Sequence, residues 1–257
     1  MLVNGVALDN STFGWTFMRA SVVVPALTKD RQGLRLAGRD GVVPGIPGTT
    51  RETVLRLVVE APPSTRETLV TLFGDRGVIT HDNGRVAAYE VSGVTPRDLD
   101  TAAPRTEVAF DVAVPGAFWR AASDATFSRA LDAASVQLSC WSGLSAPVQD
   151  AVVRIAGPAT GSQVTDSSGA WVRMPDAAAG QWVRFECATG LCFRTTSDTW
   201  SGGTDISGLV DYGGPRGVFE ITPTFGGDPS ARSGVITVAT VTRGGSVQVR
   251  GRSAHVI

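Results

Sequence analysis

Thirty glycines and fourteen prolines punctuate this 257-residue chain so often that few stretches run long enough for a helix. Glycine gives up the most backbone entropy in a helix, and proline removes a backbone donor. Both confine regular structure to short segments between turns. The apolar runs they separate carry the two-residue period of strands. In Glu107–Pro115, Val108, Phe110, Val112 and Val114 alternate with Glu107, Ala109, Asp111 and Ala113, the pattern of a strand with one buried face. Thr53–Glu60 is a more continuous apolar run whose β-branched residues also favour a strand. Val78–Thr80 and Arg85–Val91 flank Asp82-Asn83-Gly84, where Asn and Gly tolerate the positive φ of a tight hairpin turn. The expected fold class is mainly all-β.

One helix is expected against this background. Ser64-Thr65-Arg66-Glu67 follows Pro62-Pro63 and has the letters of a capping box, in which the Ser64 hydroxyl and the Glu67 carboxylate satisfy free N–H groups of the first turn. Leu69, Val70, Leu72 and Phe73 supply a helical apolar face, and Gly74 suits the C-terminal cap. The helix signal fades after Pro115-Gly116-Ala117-Phe118-Trp119-Arg120, which divides the chain into an N-terminal domain, 1–119, and a C-terminal domain, 120–257. Candidate strands in the second are Val136–Cys140, Ala151–Ala156, Ala170–Met174, Gln181–Glu186, Val218–Thr222, Val235–Thr242 and Ser246–Arg250. Turn sequences such as Asp166-Ser167-Ser168-Gly169 and Gly213-Gly214-Pro215 separate them, at the spacing of a sandwich of antiparallel sheets. Val3–Ala7 and Phe13–Val24 are apolar and β-rich, suited equally to core strands and to an intersubunit face.

Charge and composition narrow the function. With 23 basic against 24 acidic side chains there is no excess basic surface, so nucleic-acid binding is not expected. No stretch reaches the roughly 18 uncharged apolar residues that span a bilayer, so membrane insertion is not expected. Met1–Asn10 lacks the basic start and long apolar stretch of a secretory signal, which points to synthesis in the cytoplasm. Two histidines and three cysteines leave little for a zinc or iron–sulfur site, and no cofactor or metal site is expected.

No catalytic set assembles either. A G-x-S-x-G elbow is missing from the sequence; His81 precedes a turn, and His255 lies where chain ends fray. Cys187-Ala188-Thr189-Gly190-Leu191-Cys192 sets two thiols either side of a Thr-Gly turn, so Cys187 and Cys192 are a candidate cross-hairpin disulfide or a pair of reduced, partly buried residues. Cys140, beside Trp141, reads as core. Asp198, Asp205 and Asp211 could hold calcium but do not match the EF-hand spacing, and aspartate is common in turns for local reasons. Asp166 and Asp176 show no pairing suited to glycoside hydrolysis. Of the six tryptophans, Trp171 and Trp182 lie inside alternating strands and read as core anchors, whereas Trp200 lies in a Gly-rich loop and is the candidate for stacking on a glycan ring.

The whole arrangement resembles the distal tail protein of long, non-contractile-tailed bacteriophages, a family of tail components or minor tail proteins. The resemblance rests on Phe110-Asp111-Val112-Ala113-Val114-Pro115 followed by Ala117-Phe118-Trp119, and on the β-α-β unit before them. It extends through Val152-Val153-Arg154-Ile155-Ala156-Gly157, Asp166-Ser167-Ser168-Gly169 and Gln181-Trp182-Val183-Arg184-Phe185 to Phe219-Glu220-Ile221-Thr222-Pro223. Where the family commonly has an Asp after the strand, this chain has Glu186-Cys187. The resemblance implies a β-sandwich-like belt domain with one helix, six copies of which close into a ring. It implies a C-terminal galectin-like or carbohydrate-module-like β-sandwich facing outward. It further implies a structural virion protein without enzymatic activity at the tail tip, with the tail tube protein, a tail-tip hub or tail-associated protein and other baseplate or receptor-binding proteins as partners. A carbohydrate-binding β-sandwich adhesion module is the alternative.

Overall fold

The computed structural model describes residues 1–24, 33–34, 43–44, 52–98, 105–224 and 228–256. They divide into two compact units, Met1–Ala122 together with Val256, and Ser123–His255. Strands dominate both, as the alternation and turn density require.

The first unit is built on an antiparallel sheet whose main path runs Val6–Ala7, Leu2–Val3, Arg76–Thr80, Val86–Asp98, Thr106–Val114, Thr53–Ala61, Thr16–Phe17. Trp119–Arg120 also pairs with Val86–Asp98, and Gly33–Leu34 pairs with Val43–Pro44 in a separate two-stranded sheet. The strand Thr106–Val114 turns Val108, Phe110, Val112 and Val114 inward, and Leu55, Leu57 and Val59 of Thr53–Ala61 join them. Thr80 and Val86 are register partners, so the Asp82-Asn83-Gly84 sequence does close a hairpin, with Gly84 at φ +81°. In the apolar N-terminal segments Val3 and Trp15 are core, while Val22 and Val24 are 47% and 55% exposed.

The helix spans Pro63–Phe73 and starts earlier than the capping letters predict. Pro62 occupies the N-cap position without a side-chain cap bond. Pro63 opens the helix, where its missing N–H costs nothing and its fixed φ is already helical. Ser64 therefore does not cap the helix, and the Thr65 hydroxyl bonds to distant segments: it donates to the Phe13 carbonyl at 2.9 Å and accepts from the Trp15 indole N–H at 3.0 Å. Leu69 and Phe73 are buried, and Val70, expected on the apolar face, is exposed. Gly74 caps the C-terminus, its N–H donating to the Val70 carbonyl. The Phe73 ring stacks on Phe110 with centroids 3.7 Å apart, and the Tyr89 hydroxyl donates to the Phe73 carbonyl at 2.7 Å.

Asn4 ties this helix to the sheet. Its Nδ2 donates to the Leu72 carbonyl at 2.8 Å, and its Oδ1 accepts from the Val78 N–H at 2.9 Å. A Cβ on Gly77 would strike the Asn4 side chain, which is why a residue without one stands there.

The second unit is a sandwich. A six-stranded antiparallel sheet runs Ala125–Ala130, Ser246–Gly251, Val152–Ala156, Trp182–Glu186, Leu191–Thr195, Thr204–Asp205. A five-stranded sheet runs Ser135–Ser142, Ser233–Ala239, Gln163–Asp166, Trp171–Arg173, Asp211–Gly213. Val153, Ile155, Val183, Phe185, Val247 and Val249 of the first line the core with Val136, Leu138, Val164, Val172, Ile236 and Val238 of the second. Val218–Thr222 is not a ladder strand. It exchanges one pair of bonds with Val148, through Ile221, and is otherwise held by side chains. Phe219 and Ile221 are core, Glu220 pairs with Arg216 and accepts from Gln149, and Thr222 bonds to Asp166.

Candidate functional site

A polar and aromatic grouping lies on the outer face of the six-stranded sheet. Because Val153, Ile155, Val183 and Phe185 take the inward positions, the intervening Arg154 and Arg184 point outward. The two are direct register partners, and Gln248 lies opposite Arg154 on its other side. Like charges in that position repel, so each guanidinium needs its own acceptors. Arg154 donates to Gln248 and to the Thr199 carbonyl at 2.9 Å, and pairs with Asp198 at 2.6 Å. Arg184 pairs with Glu186 at 3.1 Å and stacks over the Phe193 ring at 4.8 Å. Both are almost fully buried despite facing away from the core, at 2% and 3% exposure.

Trp200 helps cover Arg154. Its ring receives the Arg154 guanidinium at 4.1 Å and the Arg250 guanidinium at 5.7 Å, while Arg250 is itself paired with Asp124 at 2.9 Å. The loop expected to display Trp200 therefore lies on the sheet, and the residue is half-buried. Trp171 and Trp182 depart from the expected core role: Val172 and Val183 take the inward positions, and the tryptophans are half-buried on the outer faces. Arg154 and Arg184 were missed as site residues. Their outward direction follows from the strand period, but nothing local reports that a distant loop covers Arg154 or that the Phe193 ring lies against Arg184.

The remaining candidates sit apart from one another. Asp198 pairs with Arg154, Asp211 lies 3.9 Å from Arg173 on the neighbouring strand, and Asp205 accepts from the Ser207 N–H and hydroxyl. Those two bonds hold the Asp205 carboxyl below its ordinary range. Asp166 and Asp176 serve different backbone groups, Ser168 with Ala170 and Gly161 respectively. His81 accepts from the Asn83 N–H and meets Trp119 edge-on. His255 is buried rather than frayed, with Nε2 2.8 Å from the Ser253 hydroxyl.

Cys187 and Cys192 are free thiols. The hairpin register places Cys192 opposite Phe185, and Cys187 opens the four-residue loop between Glu186 and Leu191. Burial pushes the Cys140 and Cys192 thiols up to about 12, and burial next to Asp150 and Glu220 raises Cys187 as well. A raised folded pKa keeps the proton on the native thiol while the unfolded one loses it near pH 8.5. The stabilisation is complete below pH ~8.5 and is lost as pH climbs toward ~12. Native protein at pH 8 is expected to resist a thiol-reactive disulfide reagent, and to titrate three thiols once unfolded in urea.

Chemically, the outer face offers donors, acceptors and a fixed aromatic ring, without a nucleophile and base placed together among the described residues. No helix among those residues is long and apolar enough to cross a membrane. No family model matches the sequence, and no curated protein matches it. Among solved structures, the chain is similar to the Dit protein of phage SPP1, described as a paradigm of the hub adsorption apparatus in phages infecting Gram-positive bacteria. The TM-score is 0.59 at 12% identity, covering 97% of this chain and 96% of that one. The two chains share a fold. The phage P2 baseplate in its activated conformation with calcium matches at TM-score 0.34 and 10% identity, over 93% of this chain and 91% of that chain, too distant to bear on the fold.

Proposed function

We propose that this chain is a distal tail protein, a structural component at the tip of a long non-contractile phage tail. The observation that carries the reading is two-way coverage: 97% of this chain aligns with 96% of a phage hub protein, so the likeness takes in both units rather than a lone sandwich. In this reading the N-terminal unit is the belt, six copies of which form a ring that joins the tail tube protein to the tail-tip hub and other baseplate proteins. The C-terminal unit faces outward as a docking platform, and the protein is not an enzyme. Val22, Val24 and Val54, each about half exposed on the first unit, are the apolar residues assigned to the ring interface. Short, unpaired edge strands suit head-to-tail contacts that close by rotation.

Light scattering followed by negative-stain imaging tests this, with the purified chain alone and mixed with a tail tube protein from the same source. Rings of six with an open channel are expected in at least one preparation. A chain that stays monomeric in both would overturn the reading.

The alternative, a carbohydrate-binding adhesion module, draws on Trp200, whose ring Arg154 holds in place as a stacking platform needs. Saturable glycan binding by monomers, lost in Trp200→Ala, would favour it over the ring.

A further inference from the structure

The sequence contains three asparagines, and two of them, Asn4 and Asn83, precede glycine. An Asn-Gly pair is chemically primed for deamidation, because a glycine has no side chain to keep its backbone nitrogen from the preceding amide carbon. The two glycines are alike: Gly5 and Gly84 have φ of +83° and +81°, with open space where a Cβ would stand. The asparagine side chains are not alike.

Asn4 is locked. Its Nδ2 donates to the Leu72 carbonyl at 2.8 Å and to the Tyr89 hydroxyl at 3.3 Å, while its Oδ1 accepts from the Val78 N–H at 2.9 Å. Attack on its Cγ would break all three bonds and detach the helix end from the sheet. Asn83 has no such tether. Its Nδ2 makes no hydrogen bond among the described residues. Its Oδ1 accepts from the Arg85 N–H at 3.1 Å, two residues on, which folds the side-chain amide back over the Gly84 peptide and polarises the carbonyl. The Gly84 N–H donates to the His81 carbonyl at 2.9 Å, and that bond must open first. Asp82, Asn83 and Gly84 are all exposed, so opening is confined to the loop tip, where local unfolding costs least.

We propose that Asn83 is a site of spontaneous covalent modification, from which Asn4, in the same dipeptide, is protected by the fold. The Gly84 nitrogen attacks Asn83 Cγ; a C–N bond forms, the Cγ–Nδ2 bond breaks, and the Gly84 proton, relayed through water to Nδ2, lets it leave as ammonia. Water then adds to one of the two carbonyls of the resulting succinimide and opens it to aspartate or isoaspartate. No oxidant or reductant takes part. The product places a new negative charge beside Asp82. As isoaspartate it also adds a backbone atom to the loop between the register partners Thr80 and Val86.

The test is a time course on the intact chain at physiological temperature and neutral pH. Peptide mapping follows, by mass spectrometry with fragmentation that separates aspartate from isoaspartate. Conversion at Asn83 is expected to run roughly tenfold or more faster than at Asn4, since positioning of the reacting atoms sets such rates. In urea, where no fold protects Asn4, the two rates are expected to converge. Asn83→Gln, which would have to form a larger ring, is expected to abolish the product in that peptide. Equal native rates at Asn4 and Asn83 would overturn the proposal. A difference that persists in urea would also overturn it, because flanking sequence rather than tertiary structure would then be the cause.

Discussion

Asp166→Ala is expected to destabilise the C-terminal unit by about 3–5 kcal/mol, because a buried, multiply bonded carboxylate leaves several donors stranded when removed. Asp166 is 6% exposed. Its Oδ1 accepts from the Ser168 N–H at 2.9 Å, the Ser168 hydroxyl at 2.7 Å and the Ala170 N–H at 2.9 Å. Its Oδ2 accepts from the Thr222 N–H at 3.0 Å and from the Thr222 hydroxyl. One oxygen thus closes the Asp166–Gly169 turn while the other holds the Val218–Thr222 segment, which has no full ladder of its own. Loss of the carboxylate should therefore loosen two places far apart in sequence. Hydrogen exchange should accelerate together around residues 166–170 and 219–224, with little change in the N-terminal unit. Asp166→Asn keeps the shape and one acceptor, so it should fall between alanine and the parent. If exchange rises at the turn alone, Asp166 is a local cap and not the link between the two segments.

Phe73→Ala is expected to cost the N-terminal unit about 3–5 kcal/mol, the range for removing a buried aromatic from a core. Phe73 is 1% exposed, stacked on Phe110 and edge-on to Tyr89 at 6.0 Å. It is the contact through which the helix reaches the centre of the sheet, and Leu69, one turn earlier, is its buried neighbour on the helix. The midpoint of denaturant unfolding should fall for this unit, with protection lost first across residues 63–73. Leu69→Ala should lower it less, since a smaller side chain leaves a smaller cavity. Val70→Ala, on the exposed side, should leave stability nearly unchanged. An equal loss from Val70→Ala and Phe73→Ala would mean that the docking of Phe73 does not set the stability of this element, since alanine is the better helix former at both positions.

The sequence by itself determined whatever repeats over a few residues. The two-residue period of Glu107–Pro115 identified a strand and its inward residues, because successive side chains on a strand must point to opposite faces. Asn83-Gly84 identified a hairpin, because few residue pairs tolerate its backbone angles. The helix was legible from its apolar spacing and closing glycine, but its start was not. Pro63, with its φ already helical, competes with Ser64 for the first turn, and in the fold the helix opens at Pro63 without a side-chain cap.

Only the tertiary structure decided what covers what. Period alone sends Arg154 outward, yet a loop some forty-five residues later buries it, and the same contact turns Trp200 from a displayed ring into a half-buried one. Trp171 and Trp182 looked like core because of their size, but each shares a strand with a valine at the inward position. The two Asn-Gly pairs are the plainest case. They are identical as dipeptides, and one is locked while the other is free because Leu72, Val78 and Tyr89 converge on Asn4. Local rules of backbone geometry are written in neighbouring residues; burial and bonding between distant segments exist only once the chain has folded.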